Sequence, residues 1–378
     1  MDGMAGRRAE AGLTLVEMVV SLALMSLVVL TFYGLIAVAV RGWGALEGQM
    51  EVQQQPRVAL TRIANEVRQA RFAVVGNSGS DLGLAKVTVL TQDAAAGATA
   101  IAVEDPSPLS AGMPLVIVSV DRLERGTVAA IAGSTVTLST PLARTHRRGE
   151  AVYRAATALS ADASAGAASF AVDDATVVRS GDLIAVGDEG PLVVSAVVGN
   201  LVTVAAPLAQ SHLAGEAVQP LTVMFRCEGG CADPGVQVTR CTAGCSATAN
   251  RAPLADGLAA PVGRTMFAAT TSALAVAASA GSTQICPATV TGFAVGDRIQ
   301  IGSDAQQSSE VLRPERRTVA SITGGCLVLD RGLTRGYPAG TAVRVPAVEL
   351  AVRATLVNDA AGGQVQEVVV ATRAGLRN

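Results

Sequence analysis

The sequence predicts an α+β protein in which one long N-terminal helix packs on an antiparallel β-sheet, with three small all-β repeat modules inserted in the chain. Three observations lead to this fold class. An uncharged apolar run extends from Met18 to Val40, short Val- and Thr-rich runs alternate with glycine turns through the middle, and alternating strands end the chain. With 378 residues, the chain is too long for one small core, so two or more domains are expected.

Composition and motifs argue against several function classes. The net charge is −2, which does not suggest a generally basic surface that coats nucleic acid. No Ser-His-Asp set, H-E-x-x-H zinc motif or phosphate-binding glycine loop can be recognised. We therefore expect a protein that is not an enzyme, that needs no cofactor and that has no metal site.

The apolar run has the length of a membrane span. Met18–Val40 contains 23 residues, which form a helix of about 35 Å. Arg7 and Arg8 precede it, so the N-terminus is expected in the cytoplasm, with a single pass through the inner membrane and the bulk exported. Glu17 places a carboxylate near the start of the run, where lipid insertion costs about 2.5–3.5 kcal/mol, so a partner is expected for it.

The segment from Gly12 through Leu13-Thr14-Leu15-Val16 to Glu17 resembles the class III signal of type IV prepilins and pseudopilins. The resemblance implies that a prepilin peptidase cuts after Gly12 and methylates the new N-terminus at Leu13, where the family more often has phenylalanine. Glu17 becomes the acid at the fifth mature position. It can pair with the freed amine of Leu13 in a neighbouring subunit, which neutralises both charges and sets their stagger. The implied partners are the peptidase, other pilins bound through the N-terminal helix, and the inner membrane.

Two other interpretations of the N-terminus stay open. An ordinary secretory signal is cleaved after its apolar stretch at small residues, and Ala37, Ala39, Gly42 and Gly44 lie there. A membrane-tethered surface module for binding or adhesion would keep its leader, with its three β repeats holding an unknown ligand. Within the prepilin interpretation, the sequence does not choose between a pilus, a competence apparatus and type II secretion.

The helix is expected to continue beyond the membrane to residue 75, followed by a loop over 76–87. Apolar residues recur at spacings of three and four, and Pro56 predicts a kink or a fresh first turn. The apolar stripe consists of Leu60, Ile63, Val67, Ala70 and Val74. This segment resembles the larger minor pilins and pseudopilins of the PilW and GspJ kind.

Three copies of a β unit are predicted at residues 88–155, 156–220 and 272–345. Paired glycines lie 15 residues apart in every copy, at 97 and 112, 166 and 181, and 281 and 296. Strand-like runs alternate with Gly, Asp, Pro and Ser, so each copy is expected to form a small antiparallel barrel or roll.

The intervening residues 221–271 and the C-terminal residues 346–378 differ in composition from the copies. The first contains a predicted hairpin around Asp233-Pro234-Gly235, and the second contains two alternating strands joined at Gly362-Gly363. Their resemblance to the C-terminal half of large minor pilins implies a pilin-like head split by the β copies. A linear string of domains is the alternative.

All six cysteines would lie in an oxidising compartment after export. Cys227, Cys231, Cys241 and Cys245 could form a zinc tetrathiolate, but their C-x₃-C spacing and the export favour two disulfides. Cross-strand pairs (227 with 241, 231 with 245) and two local C-x₃-C pairs are both open. Cys286 and Cys326, within the third copy, are expected to pair.

The two histidines of the chain occupy equivalent positions. His146 and His212 each lie five residues after a proline in the first two copies, and Tyr337 occupies the place in the third. A repeated position that accepts another residue type favours a structural role over a catalytic one.

Overall fold

The computed structural model describes residues 15–119, 123–229, 231, 236–242, 245, 250–262, 264–302, 306–307, 310–311, 315–358 and 364–377. Gly12 and Leu13 lie outside these residues, as do the predicted turns at 233–235 and 362–363. The chain divides into two units, residues 1–54 with 356–366, and residues 55–355 with 367–378.

The described elements are one long helix, two 3₁₀ turns and antiparallel strands. The helix α1 spans Leu15–Arg68, and the 3₁₀ turns span Asn77–Gly79 and Ala175–Val177. The strands are β1 (Ala70–Gly76), β2 (Asp81–Lys86), β3 (Thr88–Val89), β4 (Ala100–Ala102), β5 (Pro114–Val118), β6 (Leu123–Ala132), β7 (Thr135–Leu138), β8 (Ala151–Arg154), β9 (Thr157–Ala158), β10 (Ser169–Ala171), β11 (Leu183–Val186), β12 (Glu189–Val198), β13 (Leu201–Val204), β14 (Ala217–Leu221), β15 (Val223–Cys227), β16 (Val236–Cys241), β17 (Ala252–Ala259), β18 (Phe267–Ala273), β19 (Gln284–Ile285), β20 (Arg298–Ile301), β21 (Gln306–Gln307), β22 (Glu310–Val311), β23 (Glu315–Thr323), β24 (Cys326–Leu329), β25 (Ala342–Asn358) and β26 (Gln364–Gly375).

The first unit contains the N-terminal part of α1. Leu15–Val40 is the one described helix long and apolar enough to cross a membrane, with 26 residues, a mean hydropathy of 2.4 and none of it buried. The helix continues through Pro56, so of the two predicted alternatives, a kink or a fresh first turn, the fresh first turn is wrong. A proline removes one helical hydrogen bond and bends the axis, and packing of the turns beyond it can hold the helix together. Those turns bury Leu60 and Ile63.

The predicted helix boundary and the predicted loop after it are both incorrect. The helix ends at Arg68, and Ala70 and Val74 lie on β1, where alternate residues are buried. A spacing of four residues fits both a helix turn and a two-residue strand period, so the apolar stripe could not mark the boundary. Residues 76–87 form the turn and second strand of a β1–β2 hairpin rather than a loop.

Within the second unit, β1, β2, β15, β16, β17 and β25 form consecutive antiparallel strands, which we call the head sheet. Residues far apart in sequence meet in it: Val223 pairs with Leu84, and Leu258 pairs with Ala354. β26 also pairs with β25. The chain segments before, between and after the predicted β copies thus share one sheet.

The same strand order occurs in three stretches of the chain. We call β3–β8 the first β stretch, β9–β14 the second, and β18–β20 with β23–β25 the third. Numbered by their six strands, each has the antiparallel order 2-5-4-3-6-1. The same isolated bridge recurs as well, joining Ala94 to His146, Ala163 to His212 and Ala278 to Tyr337.

The first and third β stretches each enclose their own apolar cluster, and the cluster of the second stretch also includes Val116 of β5. The third strand of each stretch contributes a fully buried side chain: Leu115 in the first, Ile184 in the second and Ile299 in the third. The second stretch also packs on the head sheet, since Leu183 and Ala185 share a cluster with Phe72 and Val74 of β1.

One position on the sixth strand of each stretch contacts the start of β1. The guanidinium of Arg71 stacks 3.9 Å from the ring centroid of Tyr153 and donates a hydrogen bond to Gln219 Oε1. Arg344, the third equivalent residue, lies 4.8 Å from the ring centroid of Phe72.

Candidate functional site

The N-terminal helix presents an apolar surface on all sides. The exposed fractions of Leu15, Val16 and Met18 are 81%, 70% and 61%, and Glu17 stands among them in the first helical turn. A carboxylate there interacts favourably with the positive end of the helix dipole. A surface so apolar is stable only in lipid or against other helices.

Two hydroxyl groups inside this segment need no water. Ser26 Oγ donates to the carbonyl of Ala23 and Thr31 Oγ1 to that of Val28, each at 2.8 Å. Polar groups in hydrocarbon must find partners within the protein, and these two find them within their own helix. Of the predicted processing and assembly residues, the structure thus places Glu17, whereas Gly12 and Leu13 lie outside the described residues.

The C-terminal end of α1 is attached to the head sheet by charge. The carboxylate of Glu66 lies 3.2 Å from Lys86 Nζ on β2 and 3.0 Å from Arg240 on β16. The side chains of Glu66 and Lys86 are only 16% and 8% exposed, so water screens the pair weakly. The helix end is therefore held in place by two strands from distant parts of the sequence.

Two of the four clustered cysteines form a disulfide, and the other two are free thiols. Cys241 forms a disulfide with Cys245, which is one of the two local pairs left open by the sequence and excludes the cross-strand pair of Cys241 with Cys227. Cys227 and Cys231 are buried free thiols, which differs from the expectation that all four are in disulfides. They contact each other: their hydrogen bond raises the pKa of Cys227, which burial raises further, and lowers the pKa of Cys231.

The other two cysteines lie together. Cys286 and Cys326 form a disulfide that joins the end of β19 to the start of β24 in the third β stretch. Among the residues that the structure describes, no group of three or more His, Cys, Asp or Glu residues is arranged to hold a metal ion.

Each histidine is held between two glutamates. His146 Nε2 lies 2.9 Å from Glu124 Oε2, and its Nδ1 lies 2.7 Å from Glu150 Oε2. Ser119 Oγ donates to Glu150 as well, at 2.8 Å. Although burial opposes it, the hydrogen bonds from His146 and Ser119 lower the pKa of Glu150.

The second β stretch repeats this arrangement. His212 Nε2 lies 3.0 Å from Glu189 Oε2, and its Nδ1 lies 2.7 Å from Glu216 Oε2. Burial acts to lower the pKa of His212, but the two carboxylates outweigh it and raise the pKa above its ordinary value. The third β stretch substitutes a phenol, since Tyr337 Oη donates to Glu315 Oε2 at 3.1 Å.

Sequence reasoning missed the glutamates at the centre of these clusters. Each of these glutamates accepts a backbone N–H from a loop about 20 residues later: Glu124 from Ala143, Glu189 from Ala209 and Glu315 from Thr334. They stand 22, 23 and 22 residues before His146, His212 and Tyr337, a recurrence that could have identified them. Each cluster connects a loop to a strand through hydrogen bonds, and its glutamate is engaged in those bonds.

Comparison with known protein families finds a match at the N-terminus. Residues 7–33 match the family described as the prokaryotic N-terminal methylation motif. No curated protein shows significant similarity to the chain. The motif supports a type IV pilin-like protein that is processed by a prepilin peptidase and assembles with other pilins. Together with the apolar N-terminal helix, it fits a membrane-anchored, surface-exposed protein.

Proposed function

We propose that the protein is a minor pilin or pseudopilin, of the PilW and GspJ kind, in a type IV pilus, competence or type II secretion filament. The observation that carries the proposal is the methylation motif at residues 7–33, which overlaps the exposed apolar helix Leu15–Val40. The peptidase cleaves after Gly12 and methylates Leu13. Before assembly, the helix spans the inner membrane once with the N-terminus in the cytoplasm.

Assembly follows from the physics of the helix. Extraction from lipid is tolerable only when neighbouring subunits bury the same apolar surface again. Glu17 then pairs with the methylated amine of Leu13 in the adjacent subunit, which removes two isolated charges from an apolar bundle. In this role the protein is a building block without catalytic activity.

The three β stretches serve as modules inserted in a split pilin head. Two arrangements support this. β2 and β15 are paired neighbours although the first two stretches separate them in sequence. β18 and β25, the first and last strands of the third stretch, pair with each other although the rest of that stretch lies between them in sequence. Insertions are tolerated where the two ends of the insertion lie close together. A head of this bulk suits a tip or initiating position better than a repeating shaft position.

The N-terminus of the mature protein tests the proposal directly. The full chain is produced with a prepilin peptidase, purified from membranes and examined by mass spectrometry of its N-terminal peptide. We expect N-methylated Leu13, full retention of the leader in Gly12→Val, and normal cleavage in the control Ala11→Ser. A wild-type chain that keeps its leader, or that begins near residue 40, would contradict the proposal.

Assembly is tested separately at Glu17. Glu17→Ala should be processed and inserted in the membrane but be absent from sheared filaments, and Glu17→Asp should retain partial incorporation. Glu10→Gln, a change in the leader, is the matched control and should assemble normally. Normal incorporation of Glu17→Ala would show that the proposed charge pairing is wrong, even where the cleavage result holds.

A further inference from the structure

A cavity of about 490 Å³ lies between two equivalent loops of the second and third β stretches. One wall is residues 210–217, which contain His212, and the other is residues 335–342, which contain Tyr337. The volume falls within the range of about 300–1,000 Å³ that is usual for small-molecule sites. Nothing in the proposed assembly through α1 uses this cavity.

Arg344 lines the cavity and is buried there with unused hydrogen-bonding capacity. Its side chain is only 6% exposed, with the guanidinium over the ring of Phe72. Among the described residues, neither Nε nor Nη1 of Arg344 has a hydrogen-bond partner. The carboxylate of Asp188 approaches Nη2 no closer than 3.7 Å, which is too long for a hydrogen bond.

An arrangement of this kind is costly unless something completes it. A guanidinium cannot lose its proton, so burial without acceptors leaves a desolvated charge and unpaired donors. The stacking on Phe72 offsets part of that cost but accepts no N–H in the plane of the group. The planar fork of an arginine matches a carboxylate particularly well.

The acidic residues around the cavity are largely engaged elsewhere. Glu189 and Glu216 both bind His212, and Glu189 also accepts the backbone N–H groups of Ala209 and Gln210. Asp188 is the remaining lining acid among the described residues, and Arg335 adds a second guanidinium. Within this lining, the buried donors without a hydrogen-bond partner among the described residues belong to Arg344.

We propose that this cavity binds a small carboxylate-bearing sugar, with Arg344 binding its carboxylate. Gln210 and Ser211 also line the cavity, so polar side chains are available for sugar hydroxyls. The ligand carboxylate supplies an acceptor close to the guanidinium, which Asp188 approaches only to 3.7 Å. The bulky head of a surface filament subunit would then contact uronic acids of an acidic polysaccharide.

Saturation-transfer NMR and titration calorimetry on the full chain test the site, in a detergent without a sugar headgroup. The probes are glucuronate and galacturonate, with glucose, galactose and acetate as comparisons. We expect a uronate to bind at least about tenfold more tightly than its neutral sugar, as charge-assisted hydrogen bonds imply. Failure of both uronates to bind, or equal binding of the neutral sugars or of acetate, would overturn the proposal.

Variants locate the binding within the chain. Arg344→Gln should weaken glucuronate binding at least about tenfold, the value expected when a charged partner is lost. Arg331→Gln, at an exposed arginine outside the cavity, should leave it unchanged. Asp188→Asn removes a competing negative charge and should tighten binding, a result that loss of folding cannot mimic. Unchanged affinity in Arg344→Gln, or weaker binding in Asp188→Asn, would exclude Arg344 as the anion-binding residue.

Discussion

The imidazole of His212 can donate from both ring nitrogens only while it is protonated, and a glutamate oxygen lies within 3.0 Å on each side. Its pKa is raised, chiefly by those glutamates acting against burial. A raised pKa in the folded state means that the cluster stabilises the fold fully below the unfolded value of 6.5. That stabilisation is lost as the pH rises through the folded pKa.

We therefore expect the free energy of unfolding to fall as the pH is raised above 6.5. Denaturant unfolding of His146→Gln between pH 5 and 9 isolates the contribution of His212, and the NMR titration of its ring gives the pKa directly. In the double variant with His212→Gln, this part of the pH dependence should disappear. A ring pKa below 6.5 would contradict the prediction.

The pair formed by Asp81 and Arg226 is the most clearly bidentate ion pair of the head sheet. Arg226 donates from Nε and Nη2 to the two carboxylate oxygens at 2.8 and 2.7 Å, and the Asp81 side chain is 4% exposed. Asp81→Asn should destabilise the protein by about 2–3 kcal/mol, less than for a fully buried pair because Arg226 reaches water. Denaturant unfolding measures this loss in the free energy of unfolding.

Glu104→Gln is the matched control for that prediction. Glu104 also faces an arginine, Arg377, but the two side chains are 60% and 37% exposed. Its substitution should change the free energy of unfolding by less than about 1 kcal/mol. Equal losses in both variants would mean that burial does not decide the strength of these pairs.

Cys227 and Cys231 are close enough to share a hydrogen bond, so an oxidising compartment should join them. We expect non-reducing peptide mapping of protein recovered from the cell surface to show the pairs 227–231 and 241–245. Cytosolic protein, alkylated at once, should carry label on 227 and 231. Recovery of the cross-strand pair 227–241 from surface protein would contradict the local pairing.

At the scale of elements, the disulfide Cys286–Cys326 closes a loop of 40 residues in the third β stretch. A crosslink of that span typically stabilises a fold by about 2–4 kcal/mol. Cys286→Ser, Cys326→Ser and the double variant should each lower the free energy of unfolding by this amount. Equal losses identify the bond as the cause, whereas a double variant that loses twice as much would assign the effect to the side chains separately.

The elements that the sequence predicted well are those with a local signal. The apolar run at Leu15–Val40 and the hairpin strands β15 and β16 follow from periods and turn residues. The end of α1 did not follow, because Val67, Ala70 and Val74 satisfy a helical spacing across a helix–strand junction. Partners such as Glu189 carry no local signal, because they depend on which strands pair, and only the recurrence of their spacing in three stretches marks them in the sequence.

For the whole molecule, separate apolar clusters decide which parts of the chain can be removed. The cluster of the third β stretch consists of residues between Leu274 and Ala347, so its core is its own. The cluster that contains Phe72 and Val74 draws Leu183 and Ala185 from the second stretch, so the head sheet shares a core there. Removal of the third stretch should therefore disturb the rest of the chain less than removal of the second.

Removing residues 274–341 tests that difference, because Ala273 and Ala342 are paired neighbours on β18 and β25. An Asn-Gly turn can join them as a two-residue hairpin. We expect the shortened chain to remain soluble in detergent, to keep the disulfide Cys241–Cys245, and to enter filaments. The comparison deletion of residues 88–220 exposes Phe72 and Val74 and should aggregate. If removal of residues 274–341 unfolds the head sheet, the third β stretch is part of the head and not an insertion in it.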